Sequence, residues 1–407
     1  MLRRMTESTS LYIHIPFCRH RCSYCDFNTY AGLESLIPEY LQALRGEIDW
    51  LGQAAGGKLA VDTLFFGGGT PSLMPADELE AVLEACDRNF DLQPGAEITL
   101  EANPGTVTLA SLQAMRQAGF NRISLGMQSA SAIDLMLLER QHDTVDVIHA
   151  VEWARQAGFA NLNLDLIYGL PSQPLERWQE SLETALHLQP EHFSLYALSI
   201  EHGTPFRRWL ERGLVEVPDD DLAADMFDWA CERLERAGYM HYEISNWARQ
   251  SAGYSLESRH NLQYWRNLPY LGLGAGAHGY AAGVRTANVR GVRAYIQRVQ
   301  SGASLDFPAG QAVETVVQVD RWIAMQEHMM VGLRLLEEGV SNAGFTTRFG
   351  MSLMGAFPRQ ISTLEGQGLL EWAGESQDIL RLTRRGWLLG NRVFSEFVDL
   401  PEPDGFR

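Results

Sequence analysis

Three cysteines crowd into one short stretch of this chain. Cys18, Cys22 and Cys25 stand in Pro16-Phe17-Cys18-Arg19-His20-Arg21-Cys22-Ser23-Tyr24-Cys25-Asp26-Phe27, a C-x3-C-x2-C spacing. Three thiolates can each ligate one iron of a cubane 4Fe–4S cluster. The fourth iron is then left without a protein ligand, and an open coordination position is what a metal centre needs to activate a small molecule. Arg19 and Arg21 add positive charge nearby, which favours thiolates over thiols. A structural zinc would need a fourth ligand. His14 or His20 could supply it, but no second Cys/His pair follows at the usual spacing. Three unrelated core cysteines, or a redox pair with one spare, are the plainer readings. Five cysteines in all, with Cys86 and Cys231 standing alone, do not resemble a secreted disulfide framework.

Other groups with chemical capacity follow at intervals. Gly67-Gly68-Gly69-Thr70-Pro71 would let backbone approach a ligand closely, although such a loop is often only a tight turn. Glu101 could accept hydrogen bonds from a ribose diol, as acidic residues do in dinucleotide sites. Gln128, Arg140 and Asp165 are polar residues that could equally be ordinary rim decoration.

The elements that must position these groups alternate. Short β-rich runs at Leu11–Ile15, Val61–Phe66, Glu97–Glu101, Arg122–Leu125, Asn161–Leu166 and His192–Ser199 are separated by stretches with apolar residues at helical spacing, Pro38–Leu51, Ala76–Phe90, Leu109–Ala118, Val145–Ala157 and Leu175–Leu188. Gly119 and Gly158 read as helix C-caps. Such alternation predicts parallel strands with right-handed crossovers, an α/β fold in the form of a partial (β/α)6 barrel. In barrels the chemistry sits at the C-terminal strand ends. Cys18–Cys25, Gly67–Thr70, Glu101–Asn103, Gln128–Ser129 and Asp165 all fall there.

After Ser199 the rhythm changes. A helix is expected over Asp219–Ala237, a short strand at Tyr242–Ser245, then a Gly-rich aromatic stretch, Tyr264–Tyr280. Ser301–Ala312 reads as a linker. Arg321–Leu335 and Met354–Glu365 read as helices, and Gly368–Trp372 with Ile379–Thr383 as a β-wing, giving a helical, winged-helix-like C-terminal domain. The expected divisions are residues 1–205 for the barrel, 206–310 for a sheet extension and 311–407 for the last domain.

With 407 residues, 45% of them apolar, each unit can build a core. The formal charge of −18 and a pI of about 5.0 argue against nucleic acid and anionic lipid as partners. Arg381, Arg384 and Arg385 form the one compact basic group of the C-terminal domain. No run reaches the roughly 18 apolar residues of a spanning helix, so no membrane anchor is expected. Leu11–Ile15 is far shorter than a signal-peptide core, and the expected location is cytoplasmic. The charge leaves a homodimer open.

The triplet, with Tyr24 in an aromatic slot before the last cysteine, resembles the signature of the radical S-adenosylmethionine (SAM) superfamily. The resemblance implies that SAM chelates the unique iron through its methionine amine and carboxylate, and that reduction yields a deoxyadenosyl radical. The GGGTP loop resembles the subgroup containing oxygen-independent coproporphyrinogen III oxidase and its relatives. Tyr12, Tyr24, Gly68, Gly69, Thr70 and Glu101 match its SAM site. Gln128, Arg140 and Asp165 match a second SAM site, so one or two SAM molecules are implied.

Three features separate the branches of that subgroup. The oxidase branch usually carries a fourth cysteine where this chain has Phe27, and a long N-terminal extension where this chain has about ten residues before its first strand. His260-Asn261-Leu262-Gln263-Tyr264-Trp265 resembles the HNxxYW motif of the haem-chaperone branch, HemW. Haem needs an axial ligand and a flat apolar wall. His260 could ligate the iron, with Tyr264 and Trp265 against the macrocycle and Trp247, Tyr254 and Tyr270 adding aromatic surface. The plainer reading of His260 is a satisfied core histidine; His278, in a glycine-rich stretch, is a rival ligand. Ser23 stands where relatives often have Pro, a change expected to affect loop stiffness. The expected function is transfer of haem to an acceptor protein that nothing in the sequence names. The alternative is radical oxidative decarboxylation of coproporphyrinogen III to protoporphyrinogen IX.

Overall fold

The computed structural model describes residues 8–250, 256–302 and 306–403. Six strands lie side by side in chain order, each parallel to the next: β1 (Thr9–Ile15), β2 (Ala60–Gly68), β3 (Asp91–Ala102), β4 (Arg122–Gln128), β5 (Asn161–Tyr168) and β6 (His192–Ala197). Helices Ile37–Ala54, Ala76–Asn89, Leu109–Ala118, Thr144–Ala157 and Leu175–His187 cross between them. Parallel pairing needs a crossover of that length. Both faces of the sheet are covered, and β4 is buried along its whole length, which is why these strands read as near-continuous apolar runs. Helix ends are fixed locally. Thr108 and Asp143 form capping boxes with Ser111 and Asp146, and Gly158 closes its helix at φ 94.

β1 and β6 do not pair, so the barrel is open. The sheet instead grows outward at both edges into twelve strands, in the order β12-β11-β10-β9-β1-β2-β3-β4-β5-β6-β8-β7. On one side stand β7 (Tyr239–Glu243) and β8 (Asn246–Arg249); on the other, β9 (Tyr270–Leu273), β10 (His278–Ala281), β11 (Val284–Asn288) and β12 (Val313–Gln318). The strand expected at Tyr242–Ser245 is therefore a hairpin of two strands, antiparallel to each other. β9 lies parallel to β1, a seventh parallel strand hidden in the Gly-rich aromatic stretch. Glycine conceals it because backbone approaches backbone there. A Cβ on Gly272 would sit 1.9 Å from the His278 carbonyl oxygen.

A buried acid fastens the extension to the barrel. The Glu47 carboxylate, on helix Ile37–Ala54, accepts from the Gly274 N–H (2.8 Å), the Asn288 amide (2.7 Å) and the Tyr295 hydroxyl (2.6 Å). One apolar core runs accordingly from Leu11 to Ala312.

A second core, Trp322 to Phe397, belongs to the C-terminal region. Its antiparallel sheet has the order β13-β15-β14, with β13 at Val340–Ser341, β14 at Leu370–Ala373 and β15 at Ile379–Leu382. β14 and β15 are the expected wing. Helix Arg321–Gly332 ends three residues early, and the helix expected over Met354–Glu365 is two, Leu353–Ala356 and Pro358–Gly366. Pro358 lacks the N–H to continue the first and begins the second. Arg334 reaches across to the fully buried Glu243 at 3.2 Å, joining this region to β7. No helix among the described residues is long and apolar enough to cross a membrane.

Candidate cluster site and a neighbouring cleft

The loop after β1 carries the cysteines and is closed at its base. The Tyr30 N–H donates to the Pro16 carbonyl (2.7 Å), and the Cys18 N–H to the Tyr30 carbonyl (2.9 Å). Ser23 is fully buried and ties the loop to its surroundings. Its hydroxyl donates to the Leu137 carbonyl (3.0 Å) and its N–H to the Leu138 carbonyl (3.4 Å). Proline could make neither bond, so the change at this position alters anchoring and not stiffness alone.

Each thiol has its own polar neighbour. Thr70 donates to Cys18 Sγ (3.6 Å), Arg140 donates to Cys22 Sγ (3.5 Å), and Thr29 Oγ1 lies 3.8 Å from Cys25 Sγ. Burial pushes the Cys18 thiol up to about 11 and raises Cys25. The Arg21 charge does favour the Cys25 thiolate, as expected, but burial outweighs it. Arg21 donates to the Cys25 carbonyl (3.0 Å), and the guanidinium on sulfur is that of Arg140, from a distant segment. Metal would displace these protons. Among the described residues no three Cys, His, Asp or Glu side chains converge on a single ion. Three thiols that each take a separate iron need no such point, and hydrogen bonds to the sulfurs are what tune a cubane. The donor set fits the cluster.

The glycines serve the loop as much as any ligand. Gly68 has φ 107, and a Cβ on it would lie 2.3 Å from the His14 ring; a Cβ on Gly69 would lie 2.6 Å from the Phe17 carbonyl oxygen. The Gly69 and Thr70 N–H groups donate to the Ile15 and Phe17 carbonyls, both at 2.8 Å. Gly68→Ala is expected to cost about 3 kcal/mol from left-handed strain plus overpacking. Thermal unfolding checks this, and an unchanged midpoint would refute it.

Beside the thiols opens a cleft of about 370 Å3. It gathers Tyr24, Gly68, Gly69, Thr70, Glu101, Gln128, Arg140 and Asp165 with the three cysteines. Glu101 accepts the Gly68 N–H at 3.0 Å, and burial with the nearby Asp165 charge pushes its carboxyl up to about 8. Asp165 accepts from Ser124 (2.9 Å) and Asn163 (2.8 Å), yet burial still raises it. Gln128 ends β4 at φ 64, and its Nε2 and the Arg140 guanidinium both crowd the space over Gly126. Ser124, Tyr196, Ser199 and Glu201 also line the cleft and were not foreseen. Tyr196 and Ser199 lie at and just past the end of β6, the one strand end left unread.

Two expected residues lie elsewhere. Tyr12 donates to or accepts from His14 Nδ1 (3.0 Å) and lines a second cleft, of about 640 Å3. His260 lines neither cleft and is 1% exposed. Its Nδ1 is bonded to Thr63 Oγ1 (2.7 Å) and its Nε2 to the Tyr264 hydroxyl (2.8 Å), so no ring nitrogen is free for iron. Burial holds its pKa down at about 3. Trp247 is fully buried between β6 and β7 and offers no aromatic surface. Tyr254 falls outside the described residues.

A parallel sheet with three thiols after its first strand defines the class of radical SAM proteins, and the radical SAM superfamily pattern matches residues 12–185. The HemN C-terminal domain pattern matches residues 319–389. The Heme chaperone HemW of Bacillus subtilis is 38% identical over 393 residues, covering 96% of this chain and 99% of that protein. Its namesake in Escherichia coli is 37% identical over 396 residues, covering 96% and 98%. Coproporphyrinogen III oxidase (HemN) from Escherichia coli shares the fold, with a TM-score of 0.82 at 22% identity over 98% of this chain and 91% of that one. The chain belongs to the HemW family. Membership of the superfamily implies a 4Fe–4S cluster and SAM.

Proposed function

We propose that this protein is a haem chaperone, which binds haem and a SAM-ligated 4Fe–4S cluster and hands the haem to an acceptor protein. The likeness to proteins named for that role over 96% of the chain carries the reading. In this reading Cys18, Cys22 and Cys25 hold three irons and SAM takes the fourth. Tyr24, Gly68, Gly69 and Thr70 shape the SAM seat, and Glu101 accepts the ribose hydroxyls. Gln128, Arg140 and Asp165 border a second SAM. Bound there, the cluster and SAM supply one-electron chemistry. The thiol set suits a reducing compartment, and the cytoplasm is the proposed location. Residues 1–205 act as the cluster barrel, 206–310 as the haem-facing extension, and 311–407 as the region that meets the acceptor, except that β12 at its start completes the extension's sheet.

Phe27 favours this reading over the oxidase. It leaves the loop without a fourth thiol and is 63% exposed, an apolar ring available to a flat ligand. The deciding experiment starts from anaerobically reconstituted protein. A cubane paramagnetic signal should shift on adding SAM, haem should bind saturably by absorbance, and haem should pass to a haem-free acceptor. Robust conversion of coproporphyrinogen III to protoporphyrinogen, or no saturable haem binding, would overturn the proposal.

A further inference from the structure

The second cleft lies between the cluster loop, strands β9–β11 and helix Arg321–Gly332. Its volume of about 640 Å3 falls within the roughly 300–1,000 Å3 of small-molecule sites. Its wall is aromatic, with Tyr12, Tyr264, Trp265 and Tyr270 all contributing. Three histidines lie in or beside the cleft. His14 lines the cleft, but its ring nitrogens are taken by the Tyr12 hydroxyl and the Asn28 carbonyl, each at 3.0 Å. His260 is sealed beneath the wall, with both nitrogens bonded. His278 opens β10, lies exposed on the cleft, and among the described residues its ring makes no hydrogen bond.

Charge is placed to match. Arg290 and Arg285 line the same cleft, and both depress the His278 pKa beneath the larger effect of desolvation. A neutral imidazole keeps a lone pair for metal. Arg285 is already paired with Glu327 at 2.7 Å, whereas the Arg290 guanidinium has no ion pair among the described residues. A flat apolar ring, a metal wanting one imidazole, and a carboxylate wanting a guanidinium are the parts of an iron porphyrin.

We infer that this cleft seats the haem, with His278 as the iron ligand and Arg290 as the partner of a propionate. The inference rests on the chaperone reading above and adds to it the seat and the ligand. It also moves the ligand off the HNxxYW histidine: Tyr264 and Trp265 of that motif form the wall, while His260 holds the wall in place through Thr63 and Tyr264. Arg21, Asp26, Phe27 and Thr29 line both clefts, so the haem edge stands against the cluster loop.

The test uses full-length, cluster-loaded protein titrated with ferric haem and, separately, with metal-free protoporphyrin IX. His278→Ala should move the Soret band and weaken haem binding about tenfold or more. It should leave protoporphyrin affinity within about twofold and the cluster signal unchanged. Added imidazole should restore the parental spectrum. Arg290→Glu should weaken both porphyrins. His260→Gln should lower the melting temperature but keep the Soret position of bound haem. If the parent binds haem and His278→Ala matches it in spectrum and affinity, the ligand assignment falls while the chaperone reading stands. If Arg290→Glu binds both porphyrins as the parent does, the seat falls likewise. If the parent binds neither porphyrin, both readings fall together.

Discussion

Cys18→Ala, Cys22→Ala and Cys25→Ala should each yield a folded, nearly colourless protein with almost no inorganic sulfide. None of the three thiols belongs to an apolar core cluster, so their loss removes little packing. What is lost is one of three protein corners of the cubane, and two thiolates with an open iron do not retain it. The effect should be close to complete, far beyond what changing the sulfur neighbours does. Thr70→Val and Thr29→Val remove a hydroxyl near Cys18 and Cys25 and should shift the reduction potential of a cluster that still assembles. Iron and sulfide analysis with paramagnetic resonance checks both. A triple alanine variant that kept stoichiometric sulfide would remove the thiols from the role.

The second large effect is a pH dependence. Glu101 stands half-buried on the cleft wall, and its carboxyl is pushed up to about 8 by desolvation first and by Asp165 second. The ordinary value, near 4.5, applies to the unfolded chain. The folded protein therefore holds a proton on Glu101 that the unfolded chain has already lost. That stabilisation is fully present below pH 4.5 and is lost as pH rises toward 8. For cluster-free and SAM-free protein, about 3 kcal/mol should disappear between pH 5 and pH 8. Glu101→Gln mimics the protonated acid and should escape this loss. The stability gap between variant and parent, measured by denaturant unfolding at the two pH values, isolates the group from histidines that titrate alongside it. A gap independent of pH would show that Glu101 is already ionised in the fold.

Much of this is legible in the amino-acid sequence. The six parallel strands could be read because burial on both faces leaves long apolar runs, and the helices because they keep one apolar face and end at Gly119 and Gly158. The cleft could be read because strand ends collect chemistry, which brought eleven expected residues into one place. What escaped follows from contacts remote in sequence. β9 was hidden because Gly272 gives up its side chain to let β10 approach. Arg140 read as a cofactor contact, not as a sulfur neighbour, since only the fold brings it 118 positions back to Cys22. His260 read as a ligand because a histidine beside aromatics carries no mark of what its nitrogens touch. Thr63, its partner, is 197 positions away on β2.

The loop from Arg21 to Thr29 is a shared wall, with one face on each cleft. Two cavities divided by a single partition are not energetically independent. Any occupant that fixes the partition from one side changes affinity on the other, and by thermodynamic reciprocity the second occupant returns the same factor. Loading state could thus pass from one chamber to the other across a few residues, with no domain movement required.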